Sequence, residues 1–598
     1  MIRRSFAAAF LGVCLAAVAI NACAADLRKV VRYAMKSAES KLDPQSESDE
    51  ASGSINESIF DSLLQYDYLA RPAKLRPRTA ATLPEVNADG TVYVLKVKPG
   101  ILFTPDPAFQ GKPRELTAAD YVYSLRRLMD PKLKSQWLFL VEGKIKGADV
   151  VMADARKTNR YDYDRPIEGL RALDRYTLRI ELNNSDFGFA NVLALQATSA
   201  VSREVADFYG DDIAAHPVGT GPYLVKSWTR GSKLVLEANP GYREEFFEGD
   251  PGEDARSREI HARLKGQRIP IAGRIEIYVI DEDQPRWLAF LNTEHDLVDE
   301  LPYDLANLVI PNGQLAPNLQ RRAIQMDRAP RANVDMALFN MEHPLVGGYT
   351  PEKVALRRAI SLAYAADDEI RLVRKGQSIP SQSPVAPLTA GYDPTFRSEM
   401  SEFSPARAKA LLDAFGFIDR NGDGWREQPD GSPLKLEMAT QPDQLSRQLD
   451  EIWKRSMTAV GLQIDFRPAK WPENLKNSRA GKLMMWRVGW VAAQPDGDTF
   501  LALGYGPNKG QANHARFDLP AFNRIYARQR TIADGAERDA LFHEAKKLFA
   551  AYAPYKFVGH RIETAVYHPW VVGFRRHPFM RDFWKYVDID PERKSSSA

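Results

Sequence analysis

Short strand-forming runs alternate with capped helical segments along this chain, and the alternation runs its course and then starts again. Residues 30–35 read as a strand, 59–66 as a helix, and 91–97 as a strand entered through Asn87-Ala88-Asp89-Gly90. Thr117-Ala118-Ala119-Asp120 has the form of a capped helix start running on to Met129. A strand at 275–280 leads into a helix through Trp287 and Leu291. The pattern restarts with a strand at 336–340 and a helix capped by Thr350 with Pro351 at its first position. Ser404-Pro405 opens another helix that stops at Gly416, and a helix around Ile452-Trp453 precedes an alternating strand at 462–466. Strands and helices in this order define an α/β protein, and the restart divides it into two lobes.

A length of 598 residues fits about three or four domains, or two large lobes with insertions. With 44% hydrophobic and 27% charged residues there is ample material for a core. The net charge is +3, and Arg3 and Arg4 supply two of those charges; an almost neutral remainder gives no electrostatic basis for binding nucleic acid. Those arginines precede an apolar stretch, 6–20, too short to cross a bilayer, and Ala22-Cys23-Ala24 offers a small-x-small cleavage site. Residues 1–24 therefore read as a secretion signal. The alternative is a lipid anchor on Cys23, although Asn21 suits such a site poorly. Both cysteines, Cys14 and Cys23, lie before Ala25, so the mature chain is expected to have no disulfide, thiol catalysis or thiolate metal site. No later apolar run is long enough for a membrane helix.

Gly219-Thr220-Gly221-Pro222-Tyr223 carries the chemistry of a tight reversal, with glycines that permit positive φ and a proline that fixes it. Two strand runs follow, 224–228 and 234–236, joined through Arg230-Gly231 and ending in Asn239-Pro240-Gly241-Tyr242. This stretch resembles the signature of extracytoplasmic peptide-binding proteins that feed ABC importers, family 5 of the bacterial solute-binding proteins. Residues 91–103 and 116–122 resemble that family's first-lobe motif, Phe339-Asn340 with 356–360 its crossing into the second lobe, and 409–417 its second-lobe helix.

The resemblance implies a two-lobed periplasmic-binding-protein fold (class II type), α/β, with an extra subdomain inserted in the first lobe. Lobe I would comprise 25–66, 200–328 and 556–598, the inserted subdomain 67–199, and lobe II 329–555. Lobes hinged by two chain crossings close on a ligand that contacts both. The implied function is capture of a peptide or peptide-like solute in the periplasm by a monomer that delivers it to an ABC permease complex in the inner membrane. It further implies that Trp490 stands at the cleft wall with Val491, Ala492 and Ala493, core packing being the competing reading for that ring, and that the Phe339 and Asn340 backbone lines the cleft while the Phe339 ring packs in the core. Peptide-binding members hold the ligand's α-ammonium with an aspartate three residues after that tryptophan. Here the position is Ala493, so the ligand is expected not to be an ordinary peptide with a free N-terminus. Asp496, in Gln494-Pro495-Asp496-Gly497-Asp498, could supply a carboxylate, or serve simply as a turn residue.

One loop has metal-ligand spacing. Asp419, Asn421, Asp423 and Asp430 occupy positions 1, 3, 5 and 12 of a calcium loop, with Gly424 at position 6. Asp430 stands where a bidentate glutamate is usual, and a plain polar turn is the competing reading. No cofactor is otherwise expected, and enzymatic motifs are lacking: there is no Gly-x-Ser-x-Gly, His-Glu-x-x-His or P-loop. Two other functions stay open, an exported receptor for a non-peptide solute acting in sensing or signalling, and a hydrolase on the same scaffold.

Overall fold

The structure, a computed structural model, describes residues 25–47 and 49–597; residues 1–24, read from sequence as a secretion signal and containing Cys23, lie outside them. The main sheet follows the alternation of the sequence. In lobe I it contains β1 (Asp26–Met35), β2 (Tyr223–Thr229), β3 (Lys233–Ala238), β4 (Ala272–Val279) and β5 (Leu297–Val298). At the crossing lie β6 (Gln325–Pro330) and β7 (Asn333–Phe339), and lobe II adds β8 (Lys435–Thr440), β9 (Gln463–Pro468) and β10 (Met485–Val491). The long β11 (Tyr555–Tyr567) completes the spatial order β9-β8-β10-β7-β11-β5-β1-β4-β3-β2.

β11 belongs to both lobes. Its first half pairs antiparallel with β7, Tyr555 opposite Leu338, and its second half with β6, Ile562 opposite Pro330 and Tyr567 opposite Gln325. The return crossing therefore lies between Gly559 and Ile562, inside a continuous strand and a few residues beyond the expected 555/556 boundary. No turn residue marks it, because the chain does not turn there. β7 is buried along its whole length, as a strand covered on both faces must be. One lobe II core stacks Tyr364 on Trp453 (4.1 Å between ring centroids), and another gathers Phe517, Phe522, Phe549 and Tyr555. A separate four-stranded sheet, including Val92–Lys96 and Thr177–Glu181, lies within 67–199 and shares its core with lobe I.

Two sequence expectations change. Residues 59–66 are not a helix: the helix is α1 (Glu50–Ile59), started by the Asp49 side chain accepting from the Ser52 N–H, and Leu64–Tyr66 is a strand. α1 stops because the Ile59 carbonyl accepts from the Gly221 N–H (2.8 Å) of the tight turn. That contact also corrects the reason for the glycines. Neither Gly219 nor Gly221 has positive φ; a Cβ on Gly219 would stand 2.0 Å from the Ile59 carbonyl oxygen. The turn needs glycine for close approach of two backbones.

Candidate functional site: a charged cleft at the lobe crossing

The cleft forms where the strands of both lobes end, the location at which open α/β sheets bind ligands. Lobe I contributes Tyr33 to Ser37 at the end of β1, Glu50 and Ser54 of α1, Asp299 and Glu300 after β5, and part of the segment from Phe574 to Trp584. Lobe II contributes Val491, Ala492 and Ala493, while Arg331 and Glu563 come from the crossing itself. The lobes touch: Ala493 packs on the lobe I core and Phe579 on that of lobe II. The cavity between the lobes measures about 160 Å³. Sites for small organic ligands usually occupy roughly 300–1,000 Å³, so the space is small in this arrangement of the lobes.

Charge dominates the lining. Arg331 bridges Glu563 (2.7 Å) and Glu50 of α1 (3.1 Å), Arg576 reaches Glu563 (3.1 Å), and Lys36 pairs with Glu300 (2.6 Å). Burial would raise the Glu50 pKa, but the Arg331 and Arg581 guanidiniums outweigh it and hold it down to about 2. The Tyr33 hydroxyl donates to Asp299 Oδ2 (2.5 Å), and burial pushes the Asp299 carboxyl upward.

Of the residues named from sequence, Val491, Ala492 and Ala493 line this cavity, and Ala493 brings only a methyl group to it. Trp490 does not line it: the half-buried ring packs into lobe II, 6.2 Å from His514 in a T-shaped pair. Phe339 and Asn340 lie at the end of β7 away from the crossing. Phe339 is fully buried in the lobe II core, and Asn340 Nδ2 donates to the Gly481 and Leu483 carbonyls (both 2.9 Å). The crossing instead runs through Arg331 and Asn333, at the other end of the strand.

Asp496 is held by Arg538, whose Nη2 donates to both carboxylate oxygens (2.8 Å each). Burial first, then the neighbouring Asp498 charge, pushes its pKa up to about 6. It faces a second hollow of about 500 Å³, between residues 186–192 and lobe II, and does not line the cleft. In the calcium-type loop, Asp419, Asp423 and Glu427 bring carboxylate oxygens within 4.8 Å of one another. Asp430 turns away and accepts from the Ser432 N–H (2.9 Å) and hydroxyl (2.6 Å). The donor set that fits a cation thus has Glu427 where the spacing suggested Asp430.

Sequence reasoning missed Tyr33, Glu50, Asp299, Arg331, Glu563, Arg576 and Arg581. Asp299 and Arg331 stand at strand ends, where a charged residue was the available signal; Glu50, Glu563, Arg576 and Arg581 do not.

A two-lobed α/β protein with a charged cleft between its lobes is a solute-binding protein in architecture. Residues 74–512 match the bacterial extracellular solute-binding proteins, family 5 (middle region), and the chain belongs to that family. It is 23% identical to di/tripeptide-binding protein 2 of Pseudomonas aeruginosa, over 89% of this chain and 92% of that one. It is 22% identical to heme-binding protein A of Haemophilus influenzae, over 85% and 83% respectively. The fold is shared with the ABC transporter-associated periplasmic binding protein DppA of Helicobacter pylori in complex with the peptide STSA. That likeness has a TM-score of 0.72 at 21% identity and covers 94% of this chain and 98% of the other.

Proposed function

We propose that this chain is the extracytoplasmic solute-binding component of an ABC importer, taking a short peptide or peptide-like solute between its lobes and presenting it to the membrane permease. The observation that carries this reading is the small charged cavity at the lobe crossing, lined from both sides. It is supported by family membership, by the di/tripeptide-binding relative, and by a shared fold with a peptide-bound protein. A ligand touching both lobes stabilises their contact, and a micromolar affinity, about −8 kcal/mol, holds the solute while permitting release. We place the protein in the periplasm as a monomer. The secretion signal read from sequence supports export, and among the described residues no helix is long and apolar enough to cross a membrane.

A receptor for a non-peptide solute is the second reading, favoured by the methyl group at Ala493 and by a heme-binding relative. For hydrolysis, Glu50 is a poor proton donor, because its neighbouring guanidiniums keep it ionised. The deciding experiment is to purify the protein from its native compartment, denature it, and identify the released small molecules by mass spectrometry. Short peptides are expected; a non-peptide compound would transfer the assignment to the second reading.

A further inference from the structure

Asp43, Gln45 and Glu47 of lobe I each send a side chain into the inserted subdomain. Asp43 accepts from Nη1 and Nη2 of Arg127 (2.7 and 3.0 Å), and Gln45 Nε2 donates to the Ala197 and Ser199 carbonyls (3.0 Å each). Glu47 is the third anchor, its Oε1 accepting from Trp137 Nε1 (3.2 Å) and from Gln196 Nε2 (3.0 Å). The first two anchors grip residues that do not line the cleft. The third holds two that do: Trp137, Leu195 and Gln196 give the cleft a wall from the inserted subdomain.

Glu47 is a costly choice for an anchor alone. It is 1% exposed, and its Oε2 accepts from no described residue. A buried carboxyl oxygen without a partner costs stability, and such departures gather at functional sites. Helix α1 meets the other two elements at the same point, where a Cβ on Gly53 would stand 3.6 Å from Gln196 Nε2 and 3.7 Å from Glu47 Oε1. The indole N–H is claimed there, so what Trp137 leaves for a solute is its ring.

We propose that Glu47 is a positioning residue for solute selectivity: it sets the Trp137 indole as an apolar surface of the cleft, and through that ring the cleft favours a solute with an apolar side group. This rests on the reading that the ligand is a short peptide, and adds that one of its side chains is apolar and meets the inserted subdomain. An indole held by its N–H offers contact area to such a side chain at little entropic cost. Glu47 stands behind the lining and acts through the groups it holds.

The test uses the full mature chain and free tripeptides that carry Leu or Asn, close in size, at each position in turn, read by thermal shift and, for the best pair, calorimetry. The wild type is expected to prefer Leu over Asn at one position by about ten-fold or more, the scale of one buried apolar side group. Glu47→Leu removes the acceptor, and Trp137→Phe keeps a ring without the N–H; each should bring that preference to within about three-fold. Glu47→Gln keeps an accepting oxygen and should retain it. A wild type that binds tripeptides with no apolar preference overturns the proposal while the peptide reading stands. So does a preference that survives both Glu47→Leu and Trp137→Phe, or an equal weakening of every tripeptide, which marks a purely structural role. Should Glu47→Leu not fold, Trp137→Phe decides alone. A wild type that binds no tripeptide sinks the peptide reading and this inference together.

Discussion

Glu47 is buried behind the cleft, where Oε1 accepts from Trp137 Nε1 (3.2 Å) and Gln196 Nε2 (3.0 Å) and Oε2 accepts from no described residue. Burial outweighs these donors and the Arg581 charge, and pushes the carboxyl up to about 7 from its ordinary 4.5. The folded state thus holds this proton more tightly than the unfolded chain. The resulting stabilisation is complete below about pH 4.5 and is lost as pH rises through 7. Glu47→Gln is expected to flatten that part of the stability profile and to stabilise the protein at pH 8, on the order of 3 kcal/mol, seen in denaturant melts across pH. At the Asp419 loop, any rise in Tm with calcium should vanish in Glu427→Gln and persist in Asp430→Asn. The loop's existence was legible from Asp419-x-Asn421-x-Asp423-Gly424; which later acid faces it was not. That choice depends on Asp430 bonding to Ser432, a contact that spacing does not encode. Trp490 shows the same limit, since sequence located the wall segment but not which of its residues faces the cavity.

The elements were more readable than the site. The hairpin of β2 and β3 and the helices opened by Thr117, Thr350 and Ser404 lie where turn chemistry and caps put them. The segment 59–66 failed because the end of α1 is decided by a partner far along the chain, the Gly221 N–H. Gly219→Ala tests that docking: with no room for a Cβ, a loss of roughly 3 kcal/mol or more is expected in urea melts. At the crossing, the buried Asp335 of β7 accepts from Arg561 (2.7 Å) of β11 and pairs with Arg374 (3.0 Å), whose Nη1 also reaches the Tyr303 hydroxyl (3.4 Å) of lobe I. Burial alone would raise its pKa, yet these guanidiniums hold it well below the usual carboxylate range. Asp335→Ala leaves Arg561 without its carboxylate while Arg374 keeps Glu369 (2.7 Å), and should cost about 3 kcal/mol, measured by calorimetric melting.

For the whole molecule, two lobes joined by paired strands form a hinge that a shared ligand biases towards contact. Small-angle scattering should show the radius of gyration falling when the ligand released from the native protein is restored. Arg530 of lobe II pairs with Asp498 of the same lobe (3.7 Å) and reaches Asp186 of the inserted subdomain (3.9 Å), and only the second contact requires the lobes to meet. The two-lobed α/β plan and the family were legible because order and spacing survive at low identity. The cleft's charges were not, since Glu50, Asp299, Arg331, Glu563 and Arg581 are scattered in sequence and only the fold gathers them.

β11 sets a timetable. β1, at residues 26–35, reaches lobe II only through β5 and β11, and β7 has β11 as a neighbour as well. A chain emerging from its N-terminus produces most of both lobes before the strand that joins their sheets exists. Neither sheet can reach its final width early. One late strand then fastens both halves at once.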